Sequence, residues 1–201
     1  MIIQRTEKHR IKQSNDYYPL IDNFCFNAKN LYNHANYLVR QEFTSNGNWL
    51  RYATLDKLLK ADIEYPDYRD MPTAQSAQQL LRLIDKNWKS FFQSIKDWKK
   101  NKDKYLGRPK LPKYKDKNSR YVLTLTNQEV RLKNSILQFP KVFNGFTIRP
   151  LFINKENYVS FQQVRFIPKS NHIEVEVIYN VEVPEIINNN NRYYSIDIGL
   201  R

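Results

Sequence analysis

The chain has 201 residues, of which 41% are hydrophobic and 14% aromatic, and this supplies enough apolar side chains for a hydrophobic core. A formal net charge of +13 and a pI near 9.7 predict a polyanionic partner. The single cysteine, Cys25, excludes an intrachain disulfide. Since the sequence has neither a secretory signal nor a long apolar run, we expect a cytoplasmic protein that does not bind a membrane.

The first predicted elements are a short strand within residues 2–11 and three helices. Apolar residues recur every three or four positions after Leu20 and predict a helix of about 22 residues. Thr54 is the predicted N-cap of the second helix, and Thr73 that of the third, which ends in the lysines after Trp98. Polar residues on the first helix suit either sugar-phosphate contacts or water: Lys29, Asn33, Asn36, Arg40 and Gln41.

The positive charge is concentrated in residues 86–120, which contain thirteen Lys and Arg and three Asp and so carry +10 of the total. Nine cations form the predicted nucleic-acid track: Lys99, Lys100, Lys102, Lys104, Arg108, Lys110, Lys113, Lys115 and Lys117. Such a track predicts salt-sensitive binding to phosphates. The interleaved Tyr105 and Tyr114 suit stacking on unpaired bases or ordinary packing. The alternative is a basic surface that contacts only water.

After Gly107 the hydrophobic pattern changes from a helical period to the period of two that is typical of strands. The predicted strands are residues 121–126, 130–132, 136–139, 146–148, 158–167 and 172–183. The last two form a predicted hairpin around residues 168–171, and a bend at Asn127 and Gln128 is typical of another. Together with the N-terminal strand, these segments predict a small β-barrel. A polar linker, residues 184–191, follows.

The segment 193–198 reads as a buried strand that carries one carboxylate, Asp197, and is followed by Gly199. A buried aspartate is costly unless a metal ion or a partner compensates it. RNase H-like nucleases present such an aspartate to a pair of divalent ions. Because one carboxylate cannot hold two metals, we expect the 201-residue chain alone to be inactive.

Six segments together resemble the TnpB (OrfB) family of insertion-sequence transposons, which are RNA-guided DNA endonucleases related to type V CRISPR effectors. The segments are LYNHANYLVRQ at 31–41, AQSAQQLLRLIDKNWKSFF at 74–92, GRPKLPKYK at 107–115, LTN at 125–127, VRFIPK at 164–169 and SIDIGL at 195–200. Each motif is weak by itself. Their order and spacing along the whole chain carry the resemblance.

The resemblance implies an α+β protein whose small wedge-type β-barrel carries an inserted three-helix recognition domain and precedes an RNase H-like (RuvC) domain. The implied boundaries are 1–14 for the first barrel strand, 15–105 for the helices, 106–187 for the rest of the barrel, and 188–201 for the linker and first RuvC strand. The implied partners are a guide RNA from the transposon end and double-stranded target DNA, in a prokaryotic cytoplasm near the nucleoid. Asp197 would hold Mg²⁺ in the intact parent, and Zn²⁺ would sit in a C-terminal ribbon.

Four residues match family positions that read a short motif beside the target. Tyr52 precedes the second helix, and its alternative role is to cover the core. Gln78 has the groups for a bidentate contact with adenine, or it faces solvent. Thr126 and Asn127 suit a thymine methyl group and an adenine edge, or form a turn. Ala74 stands where some relatives have lysine, a departure that bears on the sequence of the motif.

Two other functions remain open at this point. One is a cleavage-free repressor that binds DNA under the direction of a guide RNA. The other is a generic basic RNA-binding module in which Asp197 merely ends a strand. All three readings share the expectation that the chain binds nucleic acid.

Overall fold

The computed structural model describes residues 1–154 and 156–184, and within these ranges it contains three α-helices and seven β-strands. The helices are α1 (Tyr18–Asn46), α2 (Tyr52–Ala61) and α3 (Ala74–Lys100). The strands are β1 (Ile2–Lys12), β2 (Leu123–Thr126), β3 (Arg131–Lys133), β4 (Ile136–Gln138), β5 (Thr147–Ile148), β6 (Tyr158–Pro168) and β7 (His172–Glu182). The helices lie in the chain between β1 and β2. The predicted α+β class is confirmed.

The larger sheet has four antiparallel strands in the order β1-β7-β6-β2. β1 joins it along its whole length, from the pair Ile2–Glu182 to the pair Lys12–His172. β6 and β7 form the predicted hairpin, whose turn is closed by the Lys169 N–H donating to the His172 carbonyl over 2.9 Å. The expectation that the N-terminal strand belongs to the β block is therefore also confirmed.

The prediction of a closed barrel is wrong for the described residues, whose strands form two separate antiparallel sheets. After β2 the chain does not fold back as a hairpin. The Asn127 N–H instead donates to the Gln162 carbonyl of β6 over 3.0 Å, and the chain leaves the larger sheet. The second sheet, β3-β4-β5, has strands of two or three residues. Such short strands offer too few ladder bonds to connect the two edges of the larger sheet.

Local sequence explains the helix ends. α1 begins at Tyr18 with a proline in its first turn, and it ends where Gly47 adopts φ +70° and donates its N–H to the Phe43 carbonyl. Its 29 residues exceed the predicted length. The Thr54 cap is wrong, because α2 already begins at Tyr52. The Thr73 cap of α3 is confirmed, and a reciprocal bond with Ser76 completes a capping box.

One hydrophobic cluster joins all three helices to both sheets. Trp88 of α3 is fully buried at the helical end, and Phe166 of β6 stacks on Phe143 with 5.8 Å between ring centroids at the other. Burying side chains of this size stabilises the fold by about 1.5–3 kcal/mol each. This core fixes α1 and α3 relative to the sheets, so the surfaces that they present are held in place.

Candidate nucleic-acid interface

Residues 106–122, which we call the strap, contain neither helix nor strand and lie along the outer face of α1. Near the C-terminal half of α1, the strap is held at Pro112. Its carbonyl accepts hydrogen bonds from Arg40 Nη2 over 2.5 Å and from Asn36 Nδ2 over 3.1 Å. The side-chain oxygen of Asn36 in turn accepts from Trp88 Nε1 over 3.0 Å, so this anchor reaches the core.

The middle of the strap is held by two further α1 side chains. Asn33 donates to the Lys115 carbonyl over 2.9 Å and accepts from the Lys115 N–H over 2.8 Å, which is the pairing that a neighbouring strand would provide. Lys29 Nζ donates to the Lys117 carbonyl over 2.7 Å. Burial and the nearby Arg120 cation lower the pKa of Lys29. The buried ammonium thus stays bound to a carbonyl in a strongly positive neighbourhood.

The end of the strap is fixed near the start of α1. Arg120 makes a bidentate pair with Asp22, with Nε and Nη2 donating to its carboxylate over 2.8–3.0 Å. The Tyr121 N–H donates to the Cys25 carbonyl over 2.9 Å. The hydrogen bond with Asp22 is the main reason that the pKa of Arg120 is raised. The strap is therefore bound to α1 as far as Tyr121, two residues before β2 begins.

The α1 residues that bind the strap, which we call the anchors, lie along one stripe of the helix. The strap runs antiparallel to α1. The anchors are Asp22, Cys25, Lys29, Asn33, Asn36 and Arg40. Residues 22–40 of a helix span about 27 Å, and the nine steps of extended chain from residue 112 to residue 121 reach about 30 Å, so the two lengths match. For Lys29, Asn33, Asn36 and Arg40 the sequence left open a contact with sugar-phosphate or with water. The structure shows a further role, because all four bind the strap. Only Gln41 is exposed to solvent as expected.

Sequence reasoning missed these anchoring roles because polar residues on a helix flank look like an ordinary wet surface. One signal was present. α1 carries asparagine at positions 23, 27, 30, 33 and 36, inside a long helix where asparagine is unfavourable because it competes with the backbone for hydrogen bonds. This run indicates polar partners beside the helix. It does not distinguish Asn33 and Asn36, which bind the strap, from Asn27, which binds the Asp70 carbonyl.

The hydrogen bonds between the strap and α1 leave most cations of the predicted track exposed to solvent. Eight of the nine are exposed: Lys99, Lys100, Lys102, Lys104, Arg108, Lys110, Lys113 and Lys117. Within residues 1–154 and 156–184, none of the nine forms an ion pair with a carboxylate. Their charge is thus available to an external anion.

Lys115 and the two tyrosines of the track differ from the exposed cations. Lys115 is half-buried, with its ammonium 4.5 Å from the centre of the Tyr121 ring, and therefore helps to pack the strap. The Tyr105 hydroxyl donates to Asp97 over 2.7 Å. Tyr114 stays 43% exposed, with the Arg40 guanidinium 4.5 Å from its ring centre. Of the two tyrosines, Tyr114 keeps more ring surface accessible for stacking on a base.

Tyr52 and Gln78 are both half-buried and both interact with Tyr68. Tyr68 donates its hydroxyl proton to Asp56 over 2.9 Å. Burial and this carboxylate raise the pKa of Tyr68 to about 12, while a hydrogen bond from Gln78 opposes the rise. The ring of Tyr52 also carries the Arg82 guanidinium 4.4 Å from its centre. These two predicted residues therefore lie together between α2 and α3.

Thr126 and Asn127 lie at the end of β2, beside the first turn of α3. Thr126 Oγ1 donates to Gln75 Oε1 over 3.1 Å, and the Thr126 N–H donates to Glu129 Oε2 over 2.8 Å. The Asn127 side chain is exposed, and its Nδ2 donates to the Phe161 carbonyl over 3.3 Å. Thr126 and Asn127 therefore lie at the junction of α3 and β2, and Gln78 is one turn beyond Gln75 on α3.

Asp197 falls outside the described residues, as does the predicted segment 193–198. Within residues 1–154 and 156–184, no three His, Cys, Asp or Glu side chains converge in a group that could hold a metal ion. None of the helices in these ranges has the length and apolar character needed to cross a bilayer. The strap and the α3–β2 junction are therefore the sites whose geometry can be argued.

Comparisons with known proteins add no family to this picture. A scan against protein-family models finds no match for the chain. A search of the curated proteins finds no relative. The function must therefore be argued from the strap, the junction and the motifs of the sequence.

Proposed function

We propose that the chain is the nucleic-acid-binding part of a TnpB-like RNA-guided DNA endonuclease, and that the strap grips the backbone of the guide RNA. One observation carries this proposal: the strap is an extended segment whose backbone is bound to α1 and whose cations, except Lys115 and Arg120, are exposed and have no carboxylate partner among the described residues. A prearranged row of free cations neutralises successive phosphates with little loss of conformational freedom on binding.

The finer assignments follow from the same proposal. The four-stranded sheet takes the place of the wedge module, and α1 to α3 that of the recognition module. The α3–β2 junction is the proposed reader of the motif beside the target, with Gln78, Thr126 and Asn127 directed to base edges and Tyr52 supporting them from α2. Support for this role comes from their shared position, since helix and strand are joined there by the Thr126–Gln75 bond.

Cleavage belongs to the proposal only through the resemblance. Asp197 is the proposed ligand of Mg²⁺ in the intact nuclease, where the metal would activate water for phosphodiester hydrolysis. Zn²⁺ belongs to the ribbon of the family and has no proposed ligand among the described residues. The roles of the strap and the junction in binding can be tested without either metal.

The direct test is a binding titration at two salt concentrations with three ligands of equal length: the structured RNA from the transposon end, an unrelated RNA and a DNA duplex. We expect the transposon RNA to bind most tightly, and we expect its advantage to persist at the higher salt. Equal affinities that fall together with salt would favour the generic RNA-binding module, because charge alone gives no preference.

A matched pair of triple variants assigns the affinity to the strap. Lys110→Gln, Lys113→Gln and Lys117→Gln remove three strap cations, whereas Lys12→Gln, Lys57→Gln and Lys133→Gln remove three exposed cations elsewhere at the same net charge. We expect the strap variant to lower the slope of log affinity against log salt by about 2, since each phosphate contact contributes about 0.7–0.9. Equal losses in both variants would mean that total charge, and not the strap, binds the RNA.

A further inference from the structure

A cleft of about 510 Å³ lies where α1, the C-terminal half of α3 and the strap meet. Its volume is within the range of small-molecule sites in proteins, which is about 300–1,000 Å³. Its lining divides into an apolar floor and a cationic rim. The floor is Phe43, Phe91, Phe92, Ile95, Pro109 and Leu111, and the rim is Arg40, Arg108, Lys110 and Lys113.

Three phenylalanines form an aromatic cluster on the floor, with their rings tilted or edge-on to one another. Phe92 lies 5.2 Å from Phe91 and 5.3 Å from Phe43 between ring centroids, and the buried Trp88 supports Phe91 at 5.8 Å. All three phenylalanines are only half-buried. Trp88 is therefore part of the core, whereas Phe43, Phe91 and Phe92 keep part of their ring surface exposed beside the strap.

The rim is cationic and includes a polar group without a partner. Among the described residues, no carboxylate lines the cleft. Arg40 binds the Pro112 carbonyl through Nη2, and its Nε is buried and has no hydrogen-bond partner in the described part of the chain. Because a buried Nε is not open to an occupant, the rim attracts an anion through the positive charge of its four side chains.

We propose that this cleft takes one unpaired nucleotide of the bound RNA, with its base against the phenylalanine floor and its phosphates beside the rim. This inference rests on the proposed function, because Arg108, Lys110 and Lys113 belong both to the rim and to the track. A strand that follows the track therefore passes the mouth of the cleft. A planar base with an anionic backbone matches both surfaces, and stacking on aromatic rings is a sequence-tolerant way to hold it.

The test compares a single-stranded decamer of uridine with a decamer of the same sugar-phosphate backbone that lacks bases. We expect the full chain to bind the uridine decamer about tenfold more tightly, within the range that base–aromatic stacking gives. Phe91→Leu keeps the apolar volume but removes a ring, and should abolish most of this preference while leaving affinity for the abasic decamer unchanged. Phe26→Leu is the matched control, since Phe26 is a half-buried ring near Lys29 and Arg120 outside the cleft.

A second measurement on the unaltered chain covers the case in which Phe91→Leu disturbs folding. Photo-crosslinking with 5-iodouridine in the decamer should give adducts at the floor, on Phe91, Phe92 or Phe43. Adducts found only on other elements would overturn the inference.

The outcomes separate the inference from the proposed function. Equal binding of both decamers by the unaltered chain, with the strap triple variant still weakened, would overturn the cleft assignment and leave the strap as the RNA-binding surface. If neither decamer binds and the transposon RNA also fails to bind, both proposals are overturned.

Discussion

The strap and the β6–β7 hairpin are both extended chain, but they satisfy their backbone groups in different ways. In the hairpin, strand pairing runs from Tyr158–Val181 to Pro168–Ile173, so main chain bonds to main chain. In the strap, side chains of α1 bind the carbonyls of Pro112, Lys115 and Lys117. The hairpin is therefore tolerant of side-chain changes at its polar positions, whereas the strap depends on individual residues of another element.

This difference explains why the proposed binding surface lies on the strap. Hairpin side chains alternate between the core and the opposite face of the sheet, and β7 is also paired on both edges. The strap is bound on one side only, by α1. Its lysines can therefore face outward together while its backbone remains satisfied, which a central strand does not allow.

The largest expected effect is that of Asn36→Ala. Asn36 is fully buried and bridges the Trp88 N–H and the Pro112 carbonyl. Its loss leaves the buried Trp88 N–H without an acceptor, whereas the Pro112 carbonyl keeps the hydrogen bond from Arg40. A buried donor without a partner costs about 1–3 kcal/mol, and we expect the free energy of unfolding to fall by about 2 kcal/mol in urea denaturation.

The matched hairpin variant is Asn180→Ala. Asn180 is half-buried and donates only one long bond, of 3.3 Å, to Ser160 Oγ. We expect a change of less than about 1 kcal/mol, because the ladder bonds of β7 remain. Equal losses from the two substitutions would contradict the distinction between strap and hairpin.

The single thiol reports on opening of the strap. Cys25 is fully buried, and its carbonyl accepts from Tyr121 of the strap. Burial, with a smaller contribution from Asp22, raises the pKa of its thiol far above the ordinary value, so the folded chain should react with a maleimide only when it opens. We expect Asn36→Ala to accelerate this labelling by up to about a hundredfold, and Asn180→Ala to leave it unchanged. Labelling of the unfolded chain in urea sets the upper rate.

The sequence allowed prediction of those elements whose signals are local. The apolar stripes of α1 and α3, the Thr73 cap and the β6–β7 turn were all predictable, because each depends on residues within a few positions of one another. The arrangement of the sheets was not. β2 pairs with β6, about forty residues further along the chain, and no local period distinguishes that partner from the neighbouring β3.

The position of the candidate interface in the sequence was predictable, but the contacts that hold the strap against α1 were not. The density of cations in residues 99–117 predicted the exposed track, and Lys115 is the exception because its ammonium lies over the rings of Tyr32 and Tyr121. The anchors on α1 were not predictable from hydrophobic periodicity. They bind the strap, and the strap contains neither helix nor strand and so has no periodic pattern of apolar residues. The predicted residues at the α3–β2 junction lie together, and their role in recognition stays a prediction.

A smaller effect is expected at the end of the strap. Arg120→Gln removes the bidentate bond to Asp22, in which both side chains are partly shielded from solvent, and should lower the free energy of unfolding by about 1 kcal/mol. On the larger sheet, Lys8→Gln breaks an exposed pair with Glu174 and should cause no measurable change. A cost for Lys8→Gln as large as that for Arg120→Gln would show that the geometry of the Arg120 pair adds nothing. High salt should reduce the difference in unfolding free energy between Arg120→Gln and Lys8→Gln only slightly.

The smallest effect concerns the alkaline limit of stability. Burial raises the pKa of Tyr121 from its ordinary value of 10 to about 12. The unfolded chain therefore loses this proton first, so the stabilisation from neutral Tyr121 is complete below pH 10 and is lost as the pH rises to about 12. In Tyr121→Phe, unfolding free energies measured between pH 9 and 12 should fall less steeply than in the unaltered chain. Tyr68→Phe removes a hydroxyl between α2 and α3 whose pKa is similarly raised. It gives for comparison the contribution of the helices to the loss of stability at high pH. If only Tyr68→Phe flattens the profile, ionisation in the strap does not contribute to alkaline unfolding, and packing of Tyr121 against Tyr32 and Lys115 keeps the strap in place without it.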